Sequence, residues 1–261
     1  MPERTGYPNG VPSWVDLASA DIDASVAFYS GLFGWTYGAA EPVEETGGYG
    51  MFMLREKYVA GVGPLQNETQ PPVWSTYLAV DDADETLAAA TDAGGQVAMP
   101  AMDVMDAGRM AFLVDADGAF VGLWQAGRHT GAQLVNEPGT LGWNELQCRD
   151  RDAALGFYTT VFGYEAEDMP GEFGVYTVLK LDGKVVGGLV EMNEQWPEGV
   201  PPHWHVYFVV ADADGSAARV KELGGSVHVE PFDAPGVGRM AVVSDANGTH
   251  FSIIALAGAP D

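Results

Sequence analysis

An internal repeat limits what this chain can fold into more than any other feature of its sequence. Residues 14–35 read WVDLASADIDASVAFYSGLFGW, and residues 143–164 read WNELQCRDRDAALGFYTTVFGY. Identical or similar residues recur at a constant offset of 129, among them the tryptophan that opens each segment and the Phe-Tyr pair in its middle. A repeat of this length indicates that one structural unit has been duplicated along the chain.

Two further blocks recur in the same order. Residues 73–97 match residues 203–227, and residues 108–124 match residues 238–254, both at an offset of 130. Three blocks in one order at a nearly constant offset are not expected by chance. We therefore predict that the chain consists of two related halves.

The boundary between the halves is predicted near the middle of the chain. The segment 126–139, AGRHTGAQLVNEPG, is polar and contains glycine, as expected of a connector. We place domain 1 at residues 1–130 and domain 2 at residues 131–261. A length of 261 residues, 47% of them hydrophobic, suffices for two ordinary domains.

Each half also divides into two similar units, whose elements follow from the spacing of apolar residues. Asp21 is a candidate N-cap for a helix with apolar positions that include Ile22, Val26 and Tyr29, and Gly34 is expected to end it. A strand-like run precedes this helix and three follow it. The other units show the same pattern, so we predict the order strand, helix, three strands four times over, which is an α+β fold.

Three short motifs accompany this order. They are AFY in the first helix, FGW or FGY at the helix exit, and DADG or DANG before the last strand. Together they resemble the glyoxalase/bleomycin resistance/extradiol dioxygenase superfamily, also called vicinal oxygen chelate proteins, and in particular its tandem two-domain actinobacterial members, described as glyoxalase-like antigens or hydroxylases. The resemblance covers nearly the whole chain. It implies two tandem glyoxalase-like domains, in which four βαβββ units form curved mixed sheets around cavities.

The same resemblance implies where a metal would bind. Catalytic members hold one divalent metal through a His or Gln in the first strand of a unit and a Glu in its last strand. These positions fall in this chain at Trp14, Ser75, Ala60 or Gly61, Gly122, Trp143, His205, Gly187 or Gly188, and Ser252. Only His205 is a credible ligand, and one imidazole does not hold a catalytic metal. We therefore expect no cofactor at the usual place.

A displaced site in the second half is an alternative. Because side chains alternate along a strand, Glu145, His205 and His250 are predicted to face the second-half cavity. They form either a ligand set for a displaced divalent metal or a catalytic set for proton transfer. The other interpretation is that the histidines at the strand ends lie in water and that Glu145 pairs with a backbone amide.

The first half is expected to differ in its chemistry. No histidine is predicted in its lining, which leaves proton transfer near neutral pH to His205 in the second half. Aromatic and small side chains there suit a flat hydrophobic ligand, or else they only fill the core. The candidate ligand-binding residues of both halves are Trp14, Asp16, Ser75, Tyr77, Phe120, Trp124, Trp143, Tyr207 and Ser252.

The sequence leaves three functions open, the third of which is a scaffold whose surface another protein recognises. The first is a bleomycin-resistance-type protein that binds a small aromatic or hydrophobic compound in a cavity without the usual metal. The second is an enzyme, a lyase, isomerase, dioxygenase or hydroxylase, that acts on such a compound through Glu145 and His205. Fold alone does not choose between them.

The charge of the chain restricts its partners. It carries 37 acidic and 12 basic residues, a formal net charge of -25, so nucleic acid and anionic membranes are not expected as partners. We expect a small-molecule ligand, a monomer or homodimer, and a cytoplasmic location, since the sequence has neither a membrane-length apolar run nor a secretion signal. Arg109 and Arg239 either grip an anionic group or pair with surface carboxylates.

Overall fold

A computed structural model describes residues 3–40, 46–67, 69–171, 174–194, 196–197 and 199–258. Within this part of the chain, sixteen strands form one mixed sheet, and four helices of ten or twelve residues cover it. None of these helices is long and apolar enough to span a membrane.

The strands and helices occur in four units of identical order. The first is β1 (Pro12–Ser19), α1 (Ile22–Phe33), β2 (Thr36–Ala39), β3 (Gly50–Leu54) and β4 (Lys57–Pro64), and the second is β5 (Val73–Ala79), α2 (Ala83–Asp92), β6 (Gln96–Val104), β7 (Gly108–Val114) and β8 (Phe120–Ala126). The third is β9 (Leu141–Cys148), α3 (Arg151–Phe162), β10 (Glu165–Gly171), β11 (Gly174–Leu181) and β12 (Lys184–Glu191), and the fourth is β13 (His203–Val209), α4 (Ala213–Glu222), β14 (Ser226–Ala234), β15 (Gly238–Ser244) and β16 (His250–Leu256). This is the predicted order, and the α+β fold class is confirmed.

Local sequence signals set the ends of the helices. The Asp21 side chain accepts a hydrogen bond from the Ala24 N–H at 3.0 Å, which satisfies one of the free donors of the first turn of α1. Gly34 ends that helix with a φ of 72°, a left-handed conformation that glycine adopts without strain. Asp150 and Gly163 do the same for α3.

The sheet pairs the units within each half. The first and last strands of every unit are parallel neighbours, and the first strands of the two units in each half, β1 with β5 and β9 with β13, are antiparallel neighbours. One face of the sheet packs on the helices. The opposite face, here called the inner face, carries Asp16 in the first half and Glu145 in the second.

The hydrophobic core runs between the halves. Trp74 Nε1 donates to the Tyr29 hydroxyl at 2.9 Å, and Tyr29 donates in turn to Asp245 Oδ2 at 3.1 Å, although Asp245 lies in the other half. Phe28 packs edge to face on Phe251 across the same boundary. The Phe-Tyr pair of the repeat is therefore a junction between units 1 and 4. Tyr158 occupies the equivalent place between units 2 and 3, where it lies beside Asp115 and accepts a hydrogen bond from Trp204 of unit 4.

The connector is more deeply packed than a polar linker. Ala132, Leu134 and Val135 are buried, and the Ala132 N–H donates to the Ser13 carbonyl at 2.8 Å. The segment is polar by composition, yet these three apolar side chains join the core of units 1 and 4. The domain boundary near residue 130 stays a prediction.

The repeated arginines pair with carboxylates of the chain itself. Arg109 contacts Asp84 and Asp103, and Arg239 contacts the equivalent Asp214 and Asp233. Of the two predicted roles, the structure therefore shows the second, pairing with surface carboxylates.

Candidate functional site

The inner face places one acidic residue at the centre of each half. Asp16 on β1 pairs with Ser75 on β5 and with Gly61 on β4. In the second half, Glu145 on β9 pairs in the same way with His205 on β13 and Gly188 on β12. Register partners on one face lie within reach of each other's side chains, so each carboxyl group has neighbours from two strands.

In the first half, two phenols and an indole surround this carboxyl group. Tyr77 donates to Asp16 Oδ2 at 2.8 Å, and Tyr49, just before β3, donates to the same oxygen at 3.4 Å. Trp14 Nε1 donates to the Tyr49 hydroxyl at 3.1 Å. We call these four residues the first-half network.

The second half repeats this arrangement. Tyr207 donates to Glu145 Oε1 at 3.0 Å, and Trp143 Nε1 donates to the Tyr176 hydroxyl at 2.9 Å. Tyr176 also lies beside Glu145, whose negative charge contributes to raising the pKa of this phenol. An additional donor, Gln147 Nε2, contacts Glu145 Oε1 at 3.1 Å. Glu145, Tyr207, Tyr176 and Trp143 form the second-half network.

Burial changes the proton affinity of both networks. It raises the pKa of Asp16 to about 6, although the hydrogen bonds from Tyr77 and Tyr49 act in the opposite direction. It also raises the pKa of Glu145. Burial and the neighbouring Asp16 carboxylate hold the pKa values of Tyr49 and Tyr77 well above the ordinary value, so both phenols are neutral donors at physiological pH.

His205, predicted to be catalytic, is enclosed beside the second-half network. Its Nε2 atom lies 2.8 Å from Ser252 Oγ, and only 6% of the residue is exposed. Burial, with the nearby His203 and His250, lowers the pKa of His205 to about 3. The expectation that it titrates near neutral pH was therefore wrong, because the charged imidazolium would lose its hydration.

The predicted triad of Glu145, His205 and His250 is not assembled by direct contacts. Glu145 is held by phenols and an amide, and His205 pairs with Ser252. His250 begins β16 on the same face, but it is exposed and its ring stacks on His228 at 4.2 Å. Within the described ranges, no three His, Cys, Asp or Glu side chains are grouped so that they could hold a metal ion.

The remaining predicted lining residues of the first half take different positions. Phe120 is 45% exposed and stacks on Phe112 with ring centroids 4.7 Å apart. Trp124 is buried and donates through Nε1 to the carbonyl of His129 at 2.7 Å. Ser75 is half-buried and lies directly opposite Asp16 in the β1–β5 register.

Sequence reasoning missed a histidine in the first half. His129, from the connector, packs edge to face on Trp14 with ring centroids 4.3 Å apart, and burial lowers its pKa to about 4. A residue of the connector, outside the repeated blocks, thus brings an imidazole beside Trp14 on β1, where the sequence predicts none.

The two tyrosines that precede or open the third strand of their units were also missed. Tyr49 and Tyr176 are related by an offset of 127, whereas the recognised blocks are related by 129 and 130. A sequence signal for them does exist. Gly61 and Gly188, the glycines that these tyrosines cover, are also related by an offset of 127, so each tyrosine and its glycine recur together.

A model of the Glyoxalase/Bleomycin resistance protein/Dioxygenase superfamily matches residues 12–123 and again residues 140–253. The chain belongs to this superfamily. The two matched regions confirm two tandem glyoxalase-like domains, and superfamily members bind small-molecule substrates.

Relatives match this chain over nearly its whole length. "Putative glyoxylase CFP32" of Mycobacterium tuberculosis is 49% identical over 97% of this chain and 98% of its own length. "Anthracycline biosynthesis protein DnrV" of Streptomyces peucetius is 38% identical over 97% of this chain and 95% of its own length. Among solved structures, the 2,3-dioxygenase LapB from Pseudomonas sp. KL28 has a TM-score of 0.67 at 14% identity, covering 97% of this chain and 95% of LapB, a likeness of fold alone.

The residues at the superfamily's metal positions do not fit a metal in this chain. A Cβ atom at Gly61 would overlap the Tyr49 hydroxyl, one at Gly188 would overlap the Tyr176 hydroxyl, and one at Gly122 would overlap the Tyr77 ring. Aromatic rings thus fill the space that a glutamate ligand would need. What remains is one carboxylate with neutral phenols in the first half, and one carboxylate, neutral phenols and the enclosed His205 in the second. Neither is the set of about three ligands that a divalent metal favours.

Proposed function

We propose that this protein binds a planar, hydroxylated aromatic compound on the inner face of each half, through the carboxyl groups of Asp16 and Glu145 and without a metal. The observation that carries the proposal is the duplicated network. In both halves an indole at a predicted ligand position, two phenols and one carboxyl group form the same arrangement.

The chemistry of the networks suits such a ligand. Phe120, which is 45% exposed and stacks on Phe112, offers a flat surface to an aromatic ring in the first half. Tyr49, Trp143 and Tyr176 are half-buried beside the carboxyl groups. A carboxyl group in apolar surroundings offers a strong hydrogen bond to a ligand hydroxyl and fixes its orientation. The networks therefore combine apolar area with one strong polar anchor.

The relatives support the same class of compound. The Streptomyces peucetius relative carries a name that places it in anthracycline biosynthesis, and it covers 97% of this chain. Anthracyclines are planar polycyclic aromatics with phenol and quinone groups. A compound of this class matches the proposed site in both shape and hydrogen-bonding groups.

Acid-base catalysis through Glu145 and His205 is the alternative function. Burial raises the pKa of the Glu145 carboxyl group, which is the direction that suits a general acid. The low pKa of His205 argues against acid-base catalysis, because this imidazole stays neutral and hydrogen-bonded to Ser252 across the physiological pH range.

The binding proposal is tested by titrating the protein with 1,8-dihydroxyanthraquinone and following tryptophan fluorescence, since Trp14 and Trp143 belong to the networks. We expect quenching by the wild type. Asp16→Asn and Glu145→Gln should each weaken binding in their own half by tenfold or more, about the worth of one charge-assisted hydrogen bond. Asp92→Asn, at an exposed position at the end of α2, is the matched control. Equal affinity in all four proteins, or no binding, would overturn the proposal.

A further inference from the structure

The two oxygens of Asp16 have different surroundings. Both phenols of the first-half network donate to Oδ2, whereas Oδ1 accepts no hydrogen bond from the described part of the chain. The residue is half-buried. One oxygen is therefore held in place by the protein, and the other is left for a ligand.

Glu145 is more enclosed than Asp16. It is 7% exposed, its Oε1 accepts from both Tyr207 and Gln147, and Tyr176 adds a third polar neighbour. Its register partner His205 is bonded to Ser252. The more accessible carboxyl group thus lies in the first half.

Ser75 provides a second free polar group beside Asp16. The two residues are directly opposite each other on β1 and β5, which places their Cβ atoms roughly 5 Å apart. Ser75 is half-buried, and its hydroxyl makes no hydrogen bond within the described ranges. An unpaired carboxylate oxygen and a hydroxyl donor therefore lie side by side on the inner face.

We propose that the first half catalyses keto-enol tautomerisation of a bound aromatic ketone, with Asp16 as the base and Ser75 as the hydrogen-bond donor to the ketone oxygen. This activity rests on the proposed function, because it takes place on a ligand held at the same site.

The step needs no other reactant. Asp16 Oδ1 removes a proton from the carbon next to the carbonyl group, and the C–H electron pair becomes the new C=C bond of the enolate. The carbonyl π electrons move to the oxygen, whose negative charge the Ser75 hydroxyl stabilises. The proton then returns from Asp16 either to the oxygen, which gives the enol, or to the carbon.

The surroundings of Asp16 suit this role. With its pKa raised to about 6, Asp16 is mostly ionised at neutral pH, yet it is a stronger base than an exposed aspartate. The titratable groups that face it are Tyr49 and Tyr77, and both stay neutral because their pKa values are raised. His129, which packs on Trp14, also stays neutral with a pKa of about 4.

The test is hydrogen-deuterium exchange at the activated CH₂ of 2-tetralone in D₂O, followed by proton NMR at saturating ketone. We expect wild-type protein to accelerate exchange with a rate that rises through about pH 6 and is constant above it. Asp16→Asn should lower the saturated rate by at least about a hundredfold, and Ser75→Ala by about tenfold. The exposed Asp92→Asn is the control that keeps the wild-type rate.

Three results would overturn the inference. The first is no acceleration of exchange by a wild-type protein that binds 1,8-dihydroxyanthraquinone. The second is full exchange activity in Asp16→Asn. The third is that Glu145→Gln loses exchange activity whereas Asp16→Asn keeps it. The first leaves the proposed function intact, because binding is measured separately. Absence of both binding and exchange would remove the two proposals together.

Discussion

The Tyr49 hydroxyl lies where a side chain at Gly61 would have to be. The same relationship joins Tyr176 and Gly188 in the second half. Gly61 and Gly188 are among the positions that the resemblance to the superfamily implies for metal ligands, and each tyrosine lies beside the carboxyl group of its half. The glycine and the phenol that covers it are thus parts of one arrangement in each half.

Gly61→Ala tests whether this close contact matters. The added methyl group must displace the Tyr49 ring and with it a hydrogen bond to Asp16, so we expect the free energy of unfolding to fall by about 1–3 kcal/mol. Gly156→Ala is the matched control, because a Cβ there meets nothing within 4 Å. In the exposed helix α3 this change should stabilise by about 0.5–1 kcal/mol. Urea unfolding that gives both variants the same sign would refute the account of Gly61.

The buried His205 makes stability depend on pH in a defined direction. Its pKa is about 3 in the folded protein, below the ordinary value of 6.5, so the unfolded chain binds the proton first as the pH falls. The wild type should therefore lose stability relative to His205→Asn between pH 6.5 and pH 4, by as much as about 3 kcal/mol. Asp16 acts in the opposite direction but is present in both proteins, so its contribution cancels. Urea unfolding at pH 7 and pH 4 measures both proteins. If the wild type and His205→Asn changed in stability by the same amount, His205 would not be buried as described.

The two halves are expected to depend on each other for folding. Tyr29 and Phe28 of the first half bury their rings against Asp245 and Phe251 of the second. Residues 1–130 or 131–261 alone would expose these rings, so we expect neither fragment to unfold cooperatively and the two together to form a complex that does. Thermal unfolding followed by circular dichroism distinguishes the cases. Cooperative unfolding of either fragment near the temperature of the full chain would contradict the shared core.

The sequence predicts the framework well because its signals are local. The repeat, the caps at Asp21 and Asp150, and the glycines that end two helices lie within a few residues of what they determine. The order of the elements and the equivalence of Asp16 and Glu145 follow from them.

The candidate site was only partly predictable because it depends on contacts between distant segments. Tyr49 reaches Asp16 from outside the repeated blocks, and His129 reaches Trp14 from the connector. The low pKa of His205 follows from its burial, which the residue type alone does not reveal. The sequence therefore predicts proton transfer in the second half, whereas the proposed tautomerisation uses the free oxygen of Asp16 in the first half.

The central claim is that a carboxyl-phenol network in each half binds an aromatic ligand in place of a metal. Calorimetric titration of chelator-treated protein with 1,8-dihydroxyanthraquinone tests it most directly. The account predicts two molecules bound per chain, with an affinity that added Mn²⁺, Fe²⁺ or Zn²⁺ does not change. Binding that disappears after chelation and returns with one divalent ion per site would contradict it.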